Sequence, residues 1–139
     1  MIWYVGGHST HYATPKEFYN AESIGTTYSA KIGLMYVSDY GFAASPSNWT
    51  TNMSSYYSAT SNNWMYMGLF EWTISCRQNI SYAAYYLYDN GFVSSGNAIY
   101  NSEYAIRPCF YLKPEVTYVS GDGSQSNPIR IDCPTCTAD

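Results

Sequence analysis

Hydrophobic positions fall in short blocks along this chain, separated by runs of Ser, Thr, Asn and Gly. Ile2-Trp3-Tyr4-Val5, closed by Gly6-Gly7, predicts a strand. Thr14-Pro15-Lys16-Glu17 predicts a helix start, with Thr as N-cap, Pro at the first helical position and Glu completing a capping box. Phe18 and Ala21 would form its buried side. The nearly continuous apolar run from Ala30 to Val37 predicts a central strand, and Ser38-Asp39 a short helical turn through Phe42, Ala43 and Ala44. Ser45-Pro46 repeats the cap-then-proline signal before Trp49, and residues 50–63, lacking periodicity, predict a long surface loop.

The later half reads as strands and hairpins. Glu71-Trp72-Thr73-Ile74-Ser75 and the run from Ala105 to Leu112 predict two strands framing a tyrosine-rich stretch. Ala83 to Tyr88 alternates, which places Tyr85 and Leu87 on one face and Ala84, Tyr86 and Tyr88 on the other. Asp89-Asn90-Gly91 is a hairpin turn, with Phe92-Val93 returning into a polar loop over 94–103. Val116–Val119 and Ile129–Ile131 flank a glycine-containing loop and predict a last hairpin. Helices early and hairpins late make the class α+β, with a single domain over 1–132 and a tail over 133–139.

Composition narrows the function. Charged residues are 12% of the chain against a usual figure of about 25%, so the surface is built from Ser, Thr, Asn and Tyr, as extracellular and paratope-like surfaces often are. The net charge is −4 and the basic residues are scattered, which excludes a nucleic-acid footprint. No apolar run approaches the roughly 20 residues of a membrane span. The first residues lack a signal-peptide pattern, so any export signal is expected upstream.

The cysteines permit disulfides. Cys76 and Cys109, near the ends of the framed segment, read either as a disulfide or as two buried thiols. Cys133-Pro134-Thr135-Cys136 is a lone CxxC, short of the ligands for structural zinc, and is read as a local disulfide or a disordered tail. His8 and His11 have no carboxylate or thiol neighbour and are read as surface loop residues. No metal or cofactor is expected.

The candidate contact surface is Arg77, Asn79, Tyr82, Tyr86, Tyr88, Asn90, Phe92, Asn97, Tyr100 and Tyr104. Tyrosine supplies rigid contact area at low entropic cost, and Ser and Asn supply adaptable hydrogen bonds. Ten of the seventeen tyrosines lie outside residues 72–112, so the enrichment also extends along the chain.

Trp72-Thr-Ile-Ser, Ala84-Tyr-Tyr-Leu, Asn90-Gly91 and Ala105-Ile-Arg-Pro, in that order, resemble the closing half of a C-type lectin-like domain. They are most similar to the branch of formylglycine-generating-enzyme-like domains and diversity-generating-retroelement variable proteins. The string from Ala30 to Ala44 and that from Tyr111 to Pro128 resemble C-terminal domains of Gram-positive surface or pilin-like proteins. The resemblance implies a non-catalytic, adhesin-like display domain outside the cell that binds a protein or glycan, with diversification of the tyrosine-rich segment by a retroelement. Its alternatives are a filament subunit self-associating through the aromatic face and a thiol-dependent enzyme using Cys76 and Cys109. The Glu-Pro-Asn, Gln-Pro-Asp and Trp-Asn-Asp strings of calcium-dependent sugar binders are absent from the sequence.

Overall fold

The computed structural model describes residues 1–98 and 103–135. Its class is α+β: the short helices lie in the first half, interleaved with three short strands, and the main antiparallel sheet lies in the second. Strand β1 (Ile2–Val5) pairs antiparallel with β2 (Thr26–Ser29), a strand that the Thr-rich sequence did not signal. Between them lies helix α1 (Pro15–Glu22), started as predicted by Thr14: its Oγ1 accepts from the Glu17 amide, and Glu17 Oε2 accepts from the Thr14 amide at 2.7 Å.

The run from Ala30 to Val37 is not a long central strand. Only Gly33–Leu34 (β3) is extended and paired, because Val37 already opens helix α2 (Val37–Phe42). Asp39 Oδ2 accepts from the Tyr36 amide at 2.9 Å, which fixes that start two residues earlier than the Ser38 cap predicts. Residues 50–63 are likewise not a surface loop. Met53–Asn62 forms a 3₁₀ helix that buries Met53, Tyr56 and Ala59.

The main sheet contains β4 (Glu71–Cys76), β5 (Ala83–Leu87) and β6 (Val93–Asn97) in that order, so the return strand runs four residues beyond Val93. The Asp89-Asn90-Gly91 turn forms as predicted: Gly91 adopts φ +92°, and the Tyr88 amide donates to the Phe92 carbonyl at 2.9 Å. The run from Ala105 to Leu112 reduces to a bridge at Ala105 and to β7 (Pro108–Cys109), which pairs with β3. The final hairpin, β8 (Thr117–Ser120) and β9 (Arg130–Asp132), is exposed along both strands.

Strand β4 organises the fold. One edge pairs with β5, while the other edge bonds in turn to Ala105, Met35 and Gly6. The close approach at Gly6-Gly7 requires glycine, since a Cβ on Gly7 would lie 1.8 Å from the Cys76 carbonyl oxygen. The core gathers between the sheet and the helices, with Phe18, Met35, Val37, Tyr40, Tyr56 and Tyr85 fully enclosed. Its tyrosines bury their rings and satisfy their hydroxyls on backbone: Tyr40 on Gly91, Tyr56 on Gly41 and Tyr85 on His8, at 2.7 to 2.9 Å. Burial pushes Tyr56 and Tyr85 up to about 12.

Candidate functional site: an aromatic layer on the outer face of the sheet

Directly paired residues in an antiparallel sheet share a face. Leu87 and Val93 oppose each other and lie in the core, as does Tyr85, so Trp72, Tyr86 and Ser94, which also pair, occupy the outer face. There the rings close into a layer. Trp72 and Tyr86 meet edge to face at 5.5 Å between centroids, and Tyr104 sits 5.1 Å from Trp72 and 4.9 Å from Tyr86. Phe70 stacks on Tyr104 at 5.1 Å and contacts Tyr88 at 4.9 Å. Tyr88 and Phe92, facing each other across the hairpin turn, stack at 3.9 Å.

Within this layer the burial is uneven. Tyr86 retains 6% exposure and serves as the layer's centre, so the expectation that its ring is a free contact surface is corrected: its neighbours cover it. Phe70, Tyr88, Phe92 and Tyr104 are half-buried around it. The Tyr86 hydroxyl donates to that of Tyr88 at 3.4 Å, and this bond together with partial burial pushes Tyr88 up.

The other candidate residues divide between the two ends of β5, roughly 13 Å apart for a five-residue strand. Asn90 lies at the Tyr88 end, exposed in the turn, where its Oδ1 accepts from the Phe92 amide at 3.4 Å. Arg77, Asn79, Tyr82 and Asn97 lie at the opposite end, outside the aromatic layer. Arg77 donates to the Ser9 carbonyl and to Ser95 Oγ, both at 3.3 Å. Asn79 takes φ +67° in the loop after β4, Tyr82 is exposed just before β5, and Asn97 pairs with Ala83. Tyr100 falls outside the described residues. Between the two ends the register aligns Cys76, Ala84 and Gly96, a shallow strip of small residues beside the rings.

Phe70 and Trp72 belong to the layer but not to the predicted set. Their signal was in the sequence: Phe70-Glu-Trp72 and Tyr86-Leu-Tyr88 repeat the same two-residue aromatic spacing on neighbouring strands. Arg107, part of the resemblance motif, faces the other side. Its guanidinium grips the buried Glu71 carboxylate through two bonds of 2.5 and 2.6 Å and donates to the Met65 carbonyl at 2.9 Å.

Cys76 and Cys109 are free thiols, which corrects the disulfide expectation. Cys109 lies in β7, paired with Gly33 of β3, whereas Cys76 ends β4. Burial pushes both thiols up, opposite to the activation that a nucleophilic cysteine requires. Cys133 is disulfide-bonded, while Cys136 lies outside the described residues. Among the described residues no cluster of His, Cys, Asp and Glu could hold a metal ion, and no helix is long and apolar enough to cross a membrane. His8 and His11 are half-buried rather than loop-exposed; His8 packs on Phe18 at 5.8 Å between ring centroids. No known family, curated protein or solved structure matches the chain.

Proposed function

We propose that this chain is a non-catalytic, extracellular ligand-binding domain with a C-type lectin-like arrangement, displayed adhesin-like on a bacterial surface or pilus-like protein. The observation that carries the reading is the connected ring layer of Phe70, Tyr88, Phe92 and Tyr104 around Tyr86, on the sheet face turned away from the core. Packed rings are pre-oriented, so a ligand laid across them loses little side-chain entropy on binding. Half-buried aromatic edges suit the apolar face of a sugar ring or an apolar protein side chain. The raised thiol pKa values favour this reading over a thiol-dependent enzyme.

The test is a screen of the folded domain against immobilised glycans and surface proteins, repeated with Tyr88→Ser and Phe92→Ser. Loss of about tenfold or more in affinity is the scale of losing an anchoring aromatic ring. Tyr28→Ser, an exposed tyrosine on β2, should bind as the parent does. A ligand that ignores both layer substitutions would move the site elsewhere. Retroelement diversification has a genomic test: a nearby template repeat with adenine-specific mismatches confined to codons of residues 72–112. Absence of any repeat or reverse transcriptase removes that part of the proposal.

A filament-subunit role is the second reading, favoured by the apolar side chains of Tyr118, Val119, Ile129 and Ile131 exposed on the last hairpin. Concentration-dependent growth in light scattering would support it, and a monodisperse monomer would favour display.

A further inference from the structure

A concavity lies away from the aromatic layer, between α1, the start of α2 and β1. It encloses about 320 Å³ and is walled by Tyr4, Tyr19, Tyr36 and Tyr111, with Glu22 and Asp39 among its lining. Burial separates rim from floor. Tyr4, Tyr19 and Tyr111 keep 43 to 61% exposure, whereas Glu22 keeps 3%.

The walls are held in place. The Tyr36 hydroxyl donates to the Tyr4 carbonyl at 2.9 Å and accepts from the Tyr4 amide at 3.0 Å, which pins that ring to β1. Tyr111 rests on the Trp3 ring at 5.5 Å. On the floor, Glu22 Oε1 accepts from Ser75 Oγ at 2.5 Å and from the Ser38 amide at 3.2 Å. Its other oxygen, Oε2, has no hydrogen-bond partner. A buried acceptor left without a donor is costly and calls for a missing group. None of the chain's lysines or arginines lines the cleft.

Each feature selects the ligand. Two carboxyl groups exclude an anion. Tyrosine faces attract cations through their quadrupoles and pack against methylene groups. The adjacent Lys16 already shows one of these rings in that use, with its ammonium 4.9 Å from the Tyr19 centroid. A neutral apolar ligand would leave Oε2 unsatisfied, and a quaternary ammonium has no N–H to give it. We propose that this cleft binds a primary ammonium on an alkyl stem, a lysine-type side chain or simple alkylamine, with the stem between the tyrosines and the ammonium donating to Glu22.

This site is independent of the outer aromatic layer. The test is a titration of the isotope-labelled protein, followed by backbone amide NMR shifts, with Nα-acetyl-lysine methylamide and three comparison probes: its Nε-acetylated form, its Nε-trimethylated form and butylamine. The lysine amide should shift the amides of Glu22, Ser38 and Tyr36. The acetylated and trimethylated forms should bind about tenfold or more weakly, the scale of a lost hydrogen bond to a charged group. Butylamine binding as tightly as the lysine amide identifies a free amine as sufficient, and weaker binding identifies a peptide-borne lysine; both support the assignment. Glu22→Gln should abolish the preference for the free ammonium. Tyr19→Leu and Tyr111→Leu, at rings that are more than half exposed, should weaken binding several-fold and keep the test open if Glu22→Gln fails to fold. Absence of shifts at the highest soluble probe concentration, equal binding of the acetylated or trimethylated form, or indifference to both tyrosine substitutions would overturn it.

Discussion

Glu22 and Glu71 are both buried carboxylates, and their surroundings set opposite consequences. Glu71 is fully answered by the Arg107 fork, so removing the arginine strands a charge at 3% side-chain exposure. Arg107→Ala should cost about 3–5 kcal/mol in urea unfolding, and the paired replacement Glu71→Met with Arg107→Leu should recover most of it. Glu22 is answered on one oxygen only. Burial pushes its pKa up, the Ser38 and Ser75 hydrogen bonds pull it partly back, and the charge of Asp39 from α2 adds to the rise. A carboxyl raised above its unfolded value favours the folded state only while protonated. That stability is fully present below the ordinary glutamate value of about 4.3 and is lost as pH climbs through the raised folded value. Glu22→Gln should therefore match the parent at about pH 4 and exceed it in urea midpoint at about pH 8. Loss of stability on that substitution at the higher pH would mean the ionised carboxylate supports the fold. A group held at a cost to stability fits a binding role better than a packing one.

At the scale of elements, strand β4 departs furthest from simple pattern reading. Its alternation places Glu71, Thr73 and Ser75 inward and Trp72 and Ile74 outward, inverting the usual apolar-in rule. The inversion holds because each inward group meets a partner from another element: Arg107, the Tyr85 carbonyl, and the Val37 amide with Glu22. Such partners are distant in sequence, so nothing in residues 71–76 alone announces them. The capping box at Thr14 and the turn at Gly91 were legible because their physics is local. Gly91→Ala should cost about 1–3 kcal/mol, since φ +92° is strained for alanine and the added Cβ would lie 2.2 Å from Thr60 Cγ2. The 3₁₀ helix was missed for a definable reason. Met53, Tyr56 and Ala59 recur every third residue, the period of a 3₁₀ turn, which a search for periods of 3.6 and 2 passes over. Tyr56→Ala there should cost about 3–5 kcal/mol by emptying a core site, against a smaller loss for Tyr57→Ala on the exposed side. The aromatic layer was half legible: alternation on β5 found Tyr86 and Tyr88, but burial of Tyr86 depends on rings from Trp72 and Tyr104, which come from outside that strand.

At the scale of the whole molecule, the hydrophobic core of the described residues draws on one part of the chain. The core cluster draws on buried residues from Ala13 to Val93, with Cys109 packed against it, and includes nothing from the last hairpin. Backbone hydrogen bonds beyond Lys113 join residues of that stretch to one another: Val116 to Lys113, Asp122 and Gly123 to Asn127, and Asn127 to Ser124. The β8–β9 pair thus closes on itself through local contacts, and a two-stranded hairpin alone is marginal in water. Its exposed Tyr118, Val119, Ile129 and Ile131 gain burial only against another surface. Ending the chain after Lys113 should therefore leave the unfolding transition cooperative. The Tm should move by less than about 4 °C, the shift that about 1 kcal/mol produces in a domain of this size. A larger fall would show that the hairpin braces the body through contacts the core does not include, and would count against its availability to a neighbouring subunit. If Tm holds while light scattering of the full chain shows growth that the shortened chain lacks, the hairpin is the assembling element. The aromatic layer and the tyrosine cleft, both upstream of Lys113, then remain free to bind.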